Sequence, residues 1–316
     1  MEKSLLTRLA FWQNKQTKLE LGVYVCQDKL VVYQAKHLDV ISTTETEYHV
    51  GESVATESIT HEFAFNGSNW SCVFASIAKQ FKPAKLHITL SASFYQLLVV
   101  DKPNVEPSEM SQALLWSVKD MVTHAVTDIH LDYFDSPLPN STKLNVVVAE
   151  KARLSAMVLA AQEHHMQVLG ISIEEMAVIS LFAKDNQAKL VLCHTPGQEL
   201  LLTVVKQGQL YMQRRVRGFN KLDTVSADDL AMGMADNLSL ELQRSMDYFE
   251  SQLRQAPVAS IELLINGQVD KLAELVSANF DQKVNAIAVD TVETKIALLT
   301  CGEFHRVESR ESGVQV

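Results

Sequence analysis

The apolar pattern of this chain runs through one order of elements twice, and such a repeat leaves few folds open. Runs rich in Val and Tyr predict strands over residues 19–25 and 30–35, joined by a turn at Gln27-Asp28. A third strand is expected either within 40–50 or around 61–65. Helical spacing follows over 70–81, closed by Pro83, and then a strand over 86–90. The second copy begins with strands over 189–193, 200–205 and 210–216, with turns at Thr195-Pro196-Gly197 and Gln207-Gly208. A long helix (226–252), a strand (260–265) and a further helix (269–279) complete it. The order β-β-β-α-β thus occurs twice, as a repeat of elements and not of residues.

The long helix carries Leu230, Met234, Leu238, Leu242, Met246, Phe249 and Leu253 at the spacing of one oily stripe. Ser226 is placed to cap it, with Asp229 three residues on to complement the helix dipole, and Pro257 bounds its end. Between the two copies lies a third module. It reads as a helix over 107–123 with Ser108 as N-cap, strands over 127–134 and 144–149, and a helix over 150–165. Residues 168–171 lead back to the first copy.

At 316 residues the chain is long enough for two ordinary domains. A net charge of −10 argues against nucleic acid as a partner, since phosphate binding needs clustered Lys and Arg. The one tight basic cluster, Arg214, Arg215 and Arg217, reads as a solvated strand end. Four cysteines lack any C-x-x-C pairing. Cys26, Cys72 and Cys193 sit in apolar runs, as buried thiols do in a reducing compartment. No stretch approaches the roughly 18 apolar residues of a membrane span, and the N-terminus has no signal-peptide pattern, so a cytoplasmic protein is expected. The amphipathic leader (1–18) reads as a frayed helix on its own domain in preference to a lipid-bound segment. The polar tail (307–316) reads as disordered.

The segment ELQRSMDYF (241–249) resembles the E-I-x-R-S-L-x-Y-Y helix of the PilM family, cytoplasmic actin-like proteins of type IV pilus assembly. The Pro-x-Val-x-Pro-x-Glu-Met-x-x-Ala pattern (103–113), IHLDYF (129–134) and VVVAEKARL (146–154) track that family's small extra subdomain. HMQVLGISIEEMAVISLFA (165–183) tracks the passage after it. Within the family, the Phe-Trp leader and the degree of drift look most like the MshI group of mannose-sensitive haemagglutinin (MSHA) pilus biogenesis. The resemblance spans about residues 20–300. It implies an α/β, actin-like ATPase fold, the RNase H-like β-β-β-α-β-α unit duplicated into two lobes with a small inserted subdomain. The first lobe is expected over 19–184, with the insertion at about 103–166, and the second over 185–306.

The family binds ATP between its lobes, and its two phosphate loops read G-I-D-I-G-S-S-S and V-D-I-G-A. The first falls here on residues 22–28, where Gly22 is kept, Tyr24 stands at the aspartate and Cys26 at the second glycine. A phenol cannot replace a hard carboxylate beside Mg²⁺. The second falls on residues 193–197, with His194 at the acid and Pro196 at the glycine, where it removes an anion-facing N–H. Glu241, Arg244 and Ser245 match the helix that faces adenosine, and Asn266-Gly267 stands where the family has Gly-Gly. The resemblance therefore implies no catalytic residue, no bound metal, and either no cofactor or weakly held ATP.

Other constellations carry less. His164 and His165 point about 100° apart on a helix and cannot share a metal. Asp128, His130 and Asp132 read as a solvated strand face, and Cys193-His194 as strand neighbours facing opposite ways. G-x-S-x-G, G-x-x-x-x-G-K-[ST] and H-E-x-x-H are absent.

Without catalysis the resemblance implies a scaffold. Its partner would be the cytoplasmic N-terminal segment of a PilN-like bitopic inner-membrane protein, with self-association into a ring and peripheral membrane attachment through partners. Leu115, Trp116 and Met121 exceed what one buried helix face needs and are the expected partner contacts, Trp116 above all. Three alternatives share the fold: an ATP-binding switch or weak ATPase, a small-molecule kinase, and a GspL-like component of type II secretion. The last continues into a membrane span that this chain lacks up to Val316.

Overall fold

The computed structural model describes residues 19–34, 60–81 and 83–311. The leader, the 40–50 alternative for the third strand and the last five residues lie outside them. The first lobe opens with β1 (Glu20–Val25) and β2 (Lys29–Gln34), an antiparallel hairpin. β3 (Thr60–Ala64) takes the second of the two places expected for it. Then come α1 (Trp70–Phe81) and β4 (Ala84–Leu90), which runs parallel to β1.

The small subdomain follows as β5 (Tyr95–Asp101), α2 (Met110–Val118), β6 (Ile129–Asp135) and β7 (Lys143–Glu150). Its antiparallel sheet has the order β5-β7-β6. α3 (Lys151–Glu163) packs against α1, and β8 (Met166–Ile173) closes the first sheet in the order β3-β2-β1-β4-β8. α4 (Glu174–Ile179) leads into the second lobe.

There β9 (Lys189–His194), β10 (Leu200–Lys206) and β11 (Gln209–Val216) form a meander. After a helical region with α5 (Ala235–Asp247) come β12 (Ser260–Ile265), α6 (Val269–Ser277), β13 (Lys283–Ala286) and α7 (Val292–Glu311). The second sheet, β11-β10-β9-β12-β13, repeats the first strand for strand. In each, the first and fourth strands pair in parallel and carry the nearly unbroken apolar runs that two covered faces require.

Several local readings differ. The N-cap of α2 is Glu109, whose side chain makes no cap bond, because a turn over 106–109 delays the helix past Ser108. β5 is an additional strand beyond those expected, and only a four-residue connection separates it from β4. The long helix is broken: Met232 leaves helical geometry and Gly233 sits at φ 109°, a conformation open to glycine. The stripe nonetheless faces the second core, with Leu230, Leu238, Leu242, Met246 and Phe249 all buried. Ser226 does cap, accepting from the Asp229 N–H at 3.1 Å. Cys26, Cys193 and Cys301 are buried thiols, but Cys72 is exposed, on the outer face of α1.

The largest difference is α7, which includes residues 307–311 of the expected tail. It leaves the second lobe and lies across β1, β2 and β4 of the first. Together with α4 it joins the facing surfaces of both sheets in one apolar cluster that includes Tyr24, Val191, Leu201, Leu264 and Ile296. Burying such a side chain contributes about 1.5–3 kcal/mol. Exposing half a dozen would cost on the order of 10 kcal/mol, more than the about 8 kcal/mol of a micromolar ligand.

Candidate functional site

The β1–β2 and β9–β10 hairpins meet between the lobes, where an actin-like protein would hold phosphate. Here side chains meet instead. The Tyr24 hydroxyl lies 3.2 Å from Thr195 Oγ1, which donates to Glu174 Oε1 at 2.9 Å. Thr195 has one proton to give, so the phenol is the donor in the first bond. Glu174 and Glu175, both buried, open α4. Arg215 reaches them from β11, with Nη2 at 2.9 Å from Glu174 Oε2 and 2.8 Å from Glu175 Oε1. The same nitrogen donates to the Tyr95 hydroxyl at 3.1 Å, and that hydroxyl donates to Glu175. First lobe, second lobe and subdomain thus share one hydrogen-bonded chain.

Burial, and then the nearby Glu174 carboxylate, push the Tyr24 phenol far above its ordinary pKa. Burial and Glu175 do the same to Tyr95, and burial raises the Cys193 thiol. Burial alone would lower the Arg215 pKa, but the Glu174 and Glu175 carboxylates outweigh it and hold the guanidinium charged. Both tyrosines therefore stay neutral donors and Arg215 is a fixed cation. Arg215 does not fit the solvated strand end expected of it, since its side chain is only 17% exposed. Arg214 pairs with Glu241, and only Arg217, 90% exposed, fits the solvated reading. The Glu174-Glu175 pair had no local signal of function, because its cation lies about forty residues away.

Each residue matched to a nucleotide site has structural partners of its own. Gly22 faces α7: a Cβ there would stand 2.0 Å from the Ala297 carbonyl oxygen, so the glycine serves helix packing. Asn266 caps α7, its Oδ1 accepting from the Val292 N–H at 2.8 Å and its Nδ2 donating to Glu293 at 3.0 Å. Glu293 in turn pairs with Lys29 of β2 at 3.1 Å. Gly267 has φ 86°, and a Cβ on it would meet the Asp223 carbonyl oxygen at 2.4 Å. Glu241 is clamped by Arg214 and Arg244, and the buried Ser245 hydroxyl donates to the Glu241 carbonyl. Glu241 and Arg244 line a cavity of about 700 Å³ that Gly22, Asn266 and Gly267 do not reach. Cys26 is buried, and Gly197 follows Pro196 with φ 73° in a tight turn. With a buried phenol at the position that the resemblance matches to the metal-facing aspartate, the residues present do not fit the phosphates of a Mg²⁺-nucleotide. On α2, Leu115 packs partly on the subdomain core and Trp116 is 63% exposed, while Met121, in the turn after α2, is also exposed.

His194 is fully buried in the second lobe, its Nδ1 4.0 Å from Asp223 Oδ1. Burial depresses its pKa, against a smaller opposing effect of Asp223. Between that lowered value and about 6.5 the unfolded chain binds a proton that the folded chain refuses, so stability falls as pH drops through this window. Chemical denaturation at pH 7.5 and 5.5 should show a smaller loss in His194→Gln than in the parent. Equal losses would place His194 outside the cause.

Among the described residues, no helix is long and apolar enough to cross a membrane, and no group of three or more His, Cys, Asp or Glu is placed to hold a metal. No protein-family model and no curated sequence matches the chain. Solved structures do. A chain of the PilM-PilN type IV pilus biogenesis complex superposes with a TM-score of 0.63 at 13% identity, over 90% of this chain and 98% of that one. The cytoplasmic domain of EpsL, an inner-membrane component of the Vibrio cholerae type II secretion system, gives 0.52 at 13% identity, over 92% and 95%. A Bacteroides thetaiotaomicron protein of unknown function with an actin-like ATPase fold gives 0.51 at 11%, over 91% and 97%. The duplicated five-stranded sheets and these superpositions together establish that the chain has the actin-like ATPase fold.

Proposed function

We propose that this protein is a non-catalytic actin-like scaffold on the cytoplasmic side of a type IV pilus assembly platform, of MSHA type. It docks the cytoplasmic N-terminal segment of a PilN-like inner-membrane protein and reaches the membrane through that partner. Self-association into a ring is part of the same reading. The carrying observation is Tyr24: it is fully buried and bonded to Thr195 of the opposite lobe, where the resemblance would put the family's metal-facing carboxylate. A scaffold needs a fixed shape, and the shared inter-lobe cluster supplies one. The exposed Trp116 and Met121, with Leu115 behind them, offer an aromatic-centred surface for a peptide.

Calorimetric titration of the purified protein tests this, first with Mg-ATP and then with the N-terminal peptide of the PilN-like protein. Peptide heat without nucleotide heat is expected. Micromolar Mg-ATP binding that altered peptide affinity would replace the scaffold by a nucleotide switch. The likeness to the EpsL cytoplasmic domain favours a second reading, a GspL-like component of type II secretion. Binding to the cytoplasmic segment of a secretion-system partner, in place of the pilus peptide, would select it.

A further inference from the structure

α2 buries one stripe, Met110, Leu114 and Val118, in the core of the small subdomain. An outward stripe runs Glu109, Ala113, Trp116 and Asp120, spaced i, i+4, i+7 and i+11, so these side chains follow one another along one face. Two choices in it work against the isolated chain. Trp116 is 63% exposed although Lys119 covers one face of its ring, 5.5 Å from the centroid. Asp120 puts an anion just past the C-terminal end of α2, where the helix dipole favours a cation. Among the described residues neither Glu109 nor Asp120 has an ion-pair or side-chain hydrogen-bond partner. Residues 103–127 carry Glu106, Glu109 and Asp120 against Lys119 as their one Lys or Arg. Local choices that disfavour the free chain mark a place whose compensation lies outside it.

Charge and shape narrow the occupant. An open indole face beside an unanswered carboxylate fits a guanidinium, which stacks on aromatic rings and meets carboxylates through its planar fork. An anionic lipid surface would be repelled by the same carboxylates. The partner that the scaffold reading seats here is the cytoplasmic flank of a membrane span, where Lys and Arg are in excess. We infer that the Trp116 surface recognises an arginine of that segment, stacked on the open indole face and paired with Asp120. The inference rests on the scaffold reading and assigns the chemistry by which its surface selects a partner.

The test uses the full chain and a fluorescein-labelled peptide of the PilN-like protein's cytoplasmic N-terminal segment. A second peptide has every arginine replaced by citrulline, which keeps the shape and loses the charge. Binding is read by anisotropy. Affinity weaker by about tenfold or more is expected for the citrulline peptide, for Asp120→Lys and for Trp116→Leu. Asp281→Lys, the same charge change at an exposed residue of the second lobe, should stay within about twofold. Asp120→Lys suits the helix dipole and should melt no earlier than the parent, which separates lost binding from lost fold. A bound segment without arginine, or unchanged affinity with citrulline or in Asp120→Lys, would overturn the arginine contact and leave the scaffold. Failure of the natural peptide to bind the unaltered chain would overturn both.

Discussion

Arg215→Met is expected to lower stability by about 3–5 kcal/mol, the usual consequence of removing one partner from a buried ionic group. Arg215 is the cation within hydrogen-bond distance of Glu174 and Glu175, both buried. Methionine fills much of the same volume, so the loss reports charge more than packing. Adding Glu174→Gln and Glu175→Gln to that variant should restore part of the stability, since amides bear no uncompensated charge. Urea denaturation measures all three chains. If Arg215→Met lost under about 1 kcal/mol, as exposed ion pairs do, the chain of bonds between the lobes would be incidental to stability.

Gly22→Ala should cost about 3 kcal/mol, the upper end for an overpacked core. The added methyl would stand 2.0 Å from the Ala297 carbonyl oxygen and 3.0 Å from Cys301 Sγ. The first of these is helix backbone and cannot swing aside. Relief requires α7 to lift from β1, which also strains the Thr300–Thr89 and Glu303–Ser172 bonds. Proteolysis should then cut α7 in the variant at denaturant levels where the parent resists. Gly302→Ala is the contrast: it lies in the same helix with open space at its Cβ, and should be neutral or stabilising by up to about 1 kcal/mol. Equal behaviour of the two variants would mean that close helix–strand approach does not explain Gly22.

Both predictions turn on residues whose meaning changes between sequence and structure. Gly22 resembles the surviving glycine of a phosphate loop, a reading any G-V-Y-V hairpin start permits; its constraint comes from a helix about 275 residues away. Arg215 sits in a basic triplet on a strand end, and nothing local separates it from Arg217. Asn266-Gly267 reads as a common turn, yet Asn266 anchors the N-terminus of α7. That helix was itself illegible, since the residue pattern over 292–311 carries only a weak apolar stripe.

What the sequence determined by itself was periodic or chemical. Alternating and unbroken apolar runs marked most strands, the helical stripe marked the long helix and its buried face, and their order marked a duplicated two-lobed α/β fold. Residue identity alone also shows no acid at the two positions that the resemblance matches to phosphate-loop aspartates. Tertiary structure decided what replaced them: a phenol, a threonine, two glutamates and an arginine joined across the lobes, and a helix returned from one lobe to the other. Periodicity is a property of neighbours a few residues apart and survives in any window of sequence. Charge pairing and close backbone approach depend on which distant elements the topology brings together, and only the folded chain contains that information.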